Sequence, residues 1–177
     1  MTNVDIEILE VIRNNFSNKI IDAIMIMITS LGNYSMLWIA LTTILIIIPK
    51  TRRLGLNVLI SLVIKFTLCN LILKPIIARP RPFELNASIK LLISKPKDYS
   101  FPSGHTASAF TVVSTFFFNK NKHWKYLLII AILISISRLY LCVHYPTDVL
   151  GGIITGVLSG YAGTIISNKI RTLPDNE

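Results

Sequence analysis

The chain has 177 residues, of which 52% are hydrophobic and 15% charged, with a formal net charge of +9 and a mean hydropathy of +0.60. Soluble domains run near ~45–50% apolar and ~25% charged, so this composition excludes an ordinary water-soluble domain and predicts an integral membrane protein. The surplus of positive charge is read as basic residues flanking apolar spans, and no nucleic-acid partner is expected.

Residues 1–16 contain no apolar signal-peptide core. Asp5, Glu7 and Glu10 alternate there with Val4, Ile6, Ile8, Leu9, Val11 and Ile12, as in an amphipathic helix lying in a membrane interface. Residues 20–31 are apolar apart from Asp22, and fall short of the about 20 residues that a helical crossing needs. Longer runs follow at 32–49, at 54–73 with Lys65 inside it, at 99–119 with its helix starting after Pro102, at 126–143 with Arg138 inside it, and at 149–168. Gly152, Gly156 and Gly160 recur at the spacing that lets membrane helices approach closely; they are assigned packing rather than chemistry. Cys69 and Cys142 sit in apolar runs outside any CxxC or His/Cys pattern, so buried packing is expected and neither a disulfide nor a metal site. No strand alternation is visible. The expected fold is all-α: a single domain over residues 1–177, forming an integral membrane bundle of about six transmembrane helices with an N-terminal amphipathic helix.

Six alternating spans sort the basic residues between two sides. Arg13, Lys19, Lys50, Arg52, Arg53, Lys120, Lys122, Lys125, Lys169 and Arg171 fall on one; Lys74, Arg79, Arg81, Lys90, Lys95 and Lys97 fall on the other. The richer side is expected to be cytoplasmic. Three polar clusters then meet on the opposite, extracytoplasmic face: Lys74 with Arg81-Pro82, Pro102-Ser103-Gly104-His105, and Ser137-Arg138 with His144 and Asp148.

Charge beside apolar spans is expensive and asks for a reason, and a phosphate group is the simplest. Lys74, Arg81 and Arg138 suit the neutralisation of a phosphoryl group, arginine through a planar fork that matches phosphate oxygens. Snorkelling from helix ends serves as well for Lys74 and Arg81. It fails for Arg138, because five apolar or weakly polar residues follow before His144. Ser103 suits an N-cap, and a helix opening at Gly104 offers backbone N–H groups to an anion; an ordinary cap, with His105 among lipid headgroups, would read the same. His144 and Asp148 are four apart, about one helical turn, and Pro146 favours a helix start. A carboxylate beside an imidazole fixes its tautomer and frees the other nitrogen for attack on an electrophile; simple capping by Thr147 or Asp148 is the other reading.

Taken together, the clusters resemble the type 2 phosphatidic acid phosphatase family, related to bacterial non-specific acid phosphatases and vanadium haloperoxidases. Its pattern, Lys-x6-Arg-Pro, Pro-Ser-Gly-His and Ser-Arg-x5-His-x3-Asp, is matched without departure from Lys74 to Asp148. The resemblance implies a phosphohistidine nucleophile at His144, an orienting carboxylate at Asp148, and an acid at His105 that protonates the leaving oxygen and then activates water. It implies a phosphate clamp of Lys74, Arg81, Ser103, Gly104 and Arg138, with neither metal nor other cofactor. Lys65 belongs to no motif and faces either the bundle interior or an interface. Arg79 is a candidate to aid a pyrophosphate or a lipid headgroup.

Small bacterial members of this kind are similar to undecaprenyl-pyrophosphate phosphatases. The expected reaction is hydrolysis of a lipid phosphate, foremost undecaprenyl pyrophosphate, at the outer face of the plasma membrane. Phosphatidylglycerol phosphate, phosphatidic acid and lipid A phosphates are the alternative substrates, and lipid phosphotransfer is the nearest alternative reaction. Membrane spans and small size speak against a haloperoxidase-like oxidoreductase. His105 and the His144–Asp148 pair speak against a non-catalytic lipid-binding or transport protein, since binding alone needs neither.

Overall fold

The structure, a computed structural model, describes residues 3–86 and 88–172. Among these it is helical, with no strand: α1 (Asn3–Phe16), α2 (Lys19–Leu31), α3 (Met36–Ile47), α4 (Arg52–Lys65), a π-helical segment (Phe66–Leu73) leading into α5 (Lys74–Ile77), the short α6 (Pro82–Leu85), α7 (Gly104–Phe118), α8 (Trp124–Tyr140) and α9 (Pro146–Thr172). Each apolar run in the sequence carries a helix, and α1 supplies the expected N-terminal one. Capping residues set two of the starts. Asn18 Oδ1 accepts from the backbone of Ile20 and Ile21 at 3.1 and 2.9 Å, and α9 opens on Pro146, where a missing N–H costs nothing.

Helix α7 is the axis of the bundle. Every residue from Thr106 to Phe116 is buried, enclosed by α4, α8 and α9. Trp38, Val58, Phe110, Val112, Val113, Phe116 and Ile134 form the main apolar core. The outside is apolar too: Ile39, Ile44, Val63, Ile129, Ile136, Ile154, Leu158 and Ile165 are exposed. Exposed aliphatic side chains on this scale mark a surface meant for lipid rather than water, so this is a membrane protein.

Two helical stretches, Arg52–Leu85 and Pro146–Ile170, are long and apolar enough to cross a bilayer, and a third crossing is available to the pair Lys19–Leu31 and Asn33–Ile47, which bends by 42°. Helices α7 and α8 have 15 and 17 residues, below the about 20 of a full crossing. The predicted run at 99–119 is shorter as a helix because residues 99–103 leave it: the Ser100 N–H donates to Arg79 O at 2.9 Å and Ser103 N–H to Asp148 O at 3.0 Å.

Hydroxyls buried in the bundle bond within it. Thr111, Thr115, Thr155 and Ser159 each donate to a carbonyl four residues back at 2.7–2.8 Å, a local solution to a polar group in apolar surroundings. At one end, Asn57 donates to Asn119 at 2.6 Å, Ser167 to Asn57 at 2.6 Å, and Asn119 to Thr164 at 3.2 Å, tying α4, α7 and α9 together. The glycines of α9 pack as expected. A Cβ on Gly156 would stand 2.6 Å from Ala107 O on α7, and one on Gly163 2.6 Å from Ser61 Cα on α4.

The inward face of α1 carries Ile6, Leu9 and Ile12, and one acid departs from the expected amphipathic pattern. Val4, Ile8 and Val11 are exposed, whereas Asp5 is only 3% exposed and Leu9 is buried. Asp5 is turned into the protein, where it meets Arg79, whereas Glu7 and Glu10 stay exposed.

Candidate active site

The end of the bundle opposite the Asn57–Asn119 cluster holds a cavity of about 1090 Å³. Its wall includes Lys74, Arg81, Gly104, His105, Arg138 and His144, brought together from all three sequence clusters, and also Lys65, Asn70 and Asp98. Six cations, with Lys95 and Lys97 added to Lys65, Lys74, Arg81 and Arg138, against the carboxylate of Asp98 make the wall attractive to anions. A smaller cavity of about 510 Å³ lies between α1, α6 and the 86–90 loop and contains no histidine.

The first motif is delivered by a turn. The α5 helix ends at Ala78, whose left-handed backbone (φ 45°) is held by its N–H donating to Lys74 O at 2.9 Å. Past it the two arginines diverge. Arg81 donates from Nη1 to Val143 O at 2.6 Å and to His144 Nε2 at 3.2 Å, from Nε to Asp98 O at 2.8 Å, and from Nη2 to Asp98 Oδ1 at 2.7 Å. Lys74 Nζ is ion-paired to Asp98 Oδ2. Asp98, 51% exposed at its side chain, thus bridges Lys74 and Arg81. Its partial burial opposes ionisation, but the hydrogen bond and charge of Lys74, with those of Arg81, hold its carboxyl below the usual carboxylate range.

Arg79 turns away from the cavity. It donates to Asp148 Oδ1 at 2.7 Å, to Thr147 Oγ1 at 2.6 Å and to Asp5 Oδ2 at 2.8 Å, and its guanidinium lies 4.0 Å from the centre of the Tyr145 ring. Its expected contact with a pyrophosphate or headgroup is therefore corrected. Two buried carboxylates on α1 and α9 outcompete a ligand for its charge.

At the second motif, Ser103 occupies the N-cap position of α7 but makes no side-chain cap bond. It is fully buried and its Oγ accepts from Thr106 Oγ1 at 3.1 Å, which leaves its own proton to donate. It stands behind the cavity wall, whereas Gly104 and His105 line it. His105 Nε2 lies 3.2 Å from Asn33 Oδ1. Asn33 belongs to the α2–α3 connection, where Tyr34 and Ser35 both have positive φ (50° and 58°). Two adjacent non-glycine residues in the left-handed region are strained, and this loop forms the cavity wall over His105.

The third motif begins in the last turn of α8. Arg138 donates to Thr29 Oγ1 of α2 at 2.6 Å, and its buried Nε has no partner among the described residues. Beyond Tyr140 the chain turns through Cys142 (φ 53°) and presents His144, 1% exposed. His144 Nδ1 is 3.4 Å from Asp148 Oδ2, a loose approach rather than a made hydrogen bond. Guanidinium can only donate, so the contact from Arg81 requires a lone pair on Nε2 and places the ring proton on Nδ1, facing the carboxylate. Burial first, then the charges of Arg81, Arg138 and Lys74, hold the His144 imidazole well below its ordinary pKa. Asp148 is fully buried. It accepts from Ser100 Oγ and from Tyr145 N–H at 2.8 Å, besides Arg79.

Asp98, Ser100 and Asn33 went unnoticed in the sequence, and Asp5 stood there only as one acid of an amphipathic helix. Asp98 is a lone acid in the basic stretch Lys95-Pro96-Lys97, and Asp5 reads as part of a solvated helix face. Neither stands in a spacing that signals a partner far along the chain. Cys69 and Cys142 are both buried and free.

A family model described as PAP2 superfamily matches residues 51–171. The chain is 36% identical over 138 residues to a Sulfolobus acidocaldarius protein named undecaprenyl-diphosphatase, covering 77% of this chain and 66% of that one. It is 29% identical over 163 residues to the Bacillus subtilis undecaprenyl-diphosphatase BcrC, covering 89% and 81%. The chain thus spans just under two-thirds of the first relative's length and more of the second's. Among solved structures, a transmembrane PAP2-type phosphatidylglycerolphosphate phosphatase from Bacillus subtilis superposes with a TM-score of 0.76 at 30% identity, covering 98% of this chain and 90% of that one.

Proposed function

The chain belongs to the PAP2 superfamily, and on that footing we propose that it is a single-domain membrane lipid phosphatase that converts undecaprenyl diphosphate to undecaprenyl phosphate at the extracytoplasmic face of the plasma membrane. The observation that carries this reading is the setting of His144, held between Asp148 and Arg81 on the wall of a cationic cavity. The names of the two relatives support the choice of diphosphate, and the surplus of Lys and Arg at the other bundle end supports the orientation.

The terminal phosphoryl group of the substrate replaces the Asp98 carboxylate on Lys74 and Arg81. Arg138 and the N-terminal end of α7 at Gly104 complete the clamp, with the Ser103 hydroxyl behind them, and stabilise charge on the equatorial oxygens. The lone pair of His144 Nε2 attacks phosphorus while Asp148 balances the positive charge that develops on the ring. The bond from phosphorus to the bridging oxygen breaks. Its electron pair stays on that oxygen, which takes a proton from His105. Water, deprotonated by the same His105, then cleaves the phosphorus–nitrogen bond, releasing phosphate and restoring His144.

The test is phosphate release by purified protein from undecaprenyl diphosphate, phosphatidylglycerol phosphate and phosphatidic acid, with a chelator present. Activity is expected without added metal, with the diphosphate the best substrate, and His144→Ala should lose roughly 10³-fold or more. Full activity in that variant removes the nucleophile assignment, and dependence on added magnesium removes the metal-free route.

A further inference from the structure

Lys65 is a cation of the cavity wall that lies outside all three motifs. It is 5% exposed, and its hydrogen bond, from Nζ to Asn70 Oδ1, is long at 3.4 Å. Lys74 and Arg81 share the Asp98 carboxylate; no described carboxylate forms an ion pair with Lys65. A buried ammonium with a single neutral acceptor is expensive in a membrane protein.

The backbone shows how Lys65 comes to face the cavity. Lys65 and Lys74 are nine residues apart. At 3.6 residues per turn, nine steps of about 100° make two and a half turns and would put the two side chains on opposite faces. Residues Phe66–Leu73 are π-helical instead. The wider i→i+5 turn, about 4.4 residues, advances about 82° per residue and brings nine steps close to two whole turns. Both lysines then share a face, with buried Cys69 between them. Wide turns of this kind are rare and recur at functional sites. Here the turn converts a lysine that an α-helix would direct away into one that lines the cavity. Lys65 lines the same cavity as Lys74 and His105.

We propose that Lys65, with Asn70, forms a subsite for the second phosphoryl group of a lipid diphosphate and makes the site selective for diphosphates over monoesters. The inference rests on the lipid-phosphatase reading and assigns its specificity to a residue. When the bridging bond of a diphosphate breaks, the leaving group is a lipid monophosphate whose negative charge Lys65 neutralises. A monoester leaves as an alcohol and offers Lys65 no anion.

Two measurements on wild type, Lys65→Met, Lys65→Gln and Lys65→Arg test this. The first is kcat/KM for farnesyl diphosphate and farnesyl monophosphate. The second is calorimetric binding of methylenebisphosphonate and methylphosphonate, which needs no turnover. Lys65→Met should lower the diphosphate-to-monophosphate ratio of kcat/KM about tenfold or more, and the bisphosphonate-to-phosphonate affinity ratio similarly, the size of a lost charge-assisted hydrogen bond. Lys65→Arg should recover most of both ratios. Lys65→Gln, which retains a polar group for Asn70, keeps the test open if the methionine variant fails to fold, and should lose both ratios. Equal losses on both members of each pair, or unchanged ratios, overturn the subsite. A wild type that cleaves no diphosphate overturns the proposed function instead, and the binding ratios then decide the subsite alone.

Discussion

His144 meets a carboxylate on one side and a guanidinium on the other, and burial, with the guanidinium second, decides its charge in the resting protein. A proton on Nε2 would face Arg81 at 3.2 Å in a buried site, so the ring stays neutral, as an attacking lone pair requires. A histidine whose folded pKa is depressed takes up its proton at a lower pH than the ordinary 6.5. The acid limb of the kcat/KM profile, which reports the free enzyme, is expected below pH 6.5, with activity retained above it. The same sign holds for stability. Below the ordinary histidine pKa the unfolded chain binds a proton that folded His144 refuses, so this group makes the fold less stable as pH falls. An acid limb centred at or above 6.5 would contradict this account of the nucleophile. The sequence disclosed His144 and Asp148 through their spacing. It could not disclose that Arg79 and Ser100 hold Asp148, or that Asp5 holds Arg79, because these contacts between distant positions leave no local pattern.

Helices were legible where apolar runs met charges, and less so where everything was apolar. The π-helical stretch Phe66–Leu73 has no polar residue but Thr67, Cys69 and Asn70 to betray its turn, so its register, and with it the direction of Lys65, was hidden. The start of α7 was legible from Pro102 and the cap residue Ser103, and the helix opens at Gly104. The glycine spacing on α9 was legible as close packing, and the contact is with backbone. A Cβ at Gly156 meets Ala107 O at 2.6 Å, Phe110 Cβ at 2.9 Å and Thr111 N at 3.0 Å, none of which can swing aside. Gly156→Val is therefore expected to lower the melting temperature in detergent, with an overpacking cost of about 1–3 kcal/mol. It should also reduce phosphate release, because parting α9 from α7 strains the bond from Ser103 N–H to Asp148 O. An unchanged melting temperature would mean that α7 and α9 can part at this point without cost.

The whole molecule is polarised. The Asn57–Asn119 cluster and the Lys50–Arg53 and Lys120–Lys125 loops occupy the end opposite the cavity. Topology reporters fused after Asn121 and after Pro96 are expected inside and outside the cell respectively; the reverse result would turn the site to the cytoplasm and count against a carrier lipid processed outside. The ring of bonds from Asp5 through Arg79 to Thr147 and Asp148 has a further meaning for biogenesis. Asp5 and Thr147 are 142 residues apart in sequence, which at 5–20 residues per second means that Asp5 is made on the order of ten seconds before its α9 partners. During that interval a partly inserted chain comes to contain Lys74, Arg81 and His105 while it still lacks His144 and Asp148. On the proposed mechanism, hydrolysis begins only after the last helix has docked against the first.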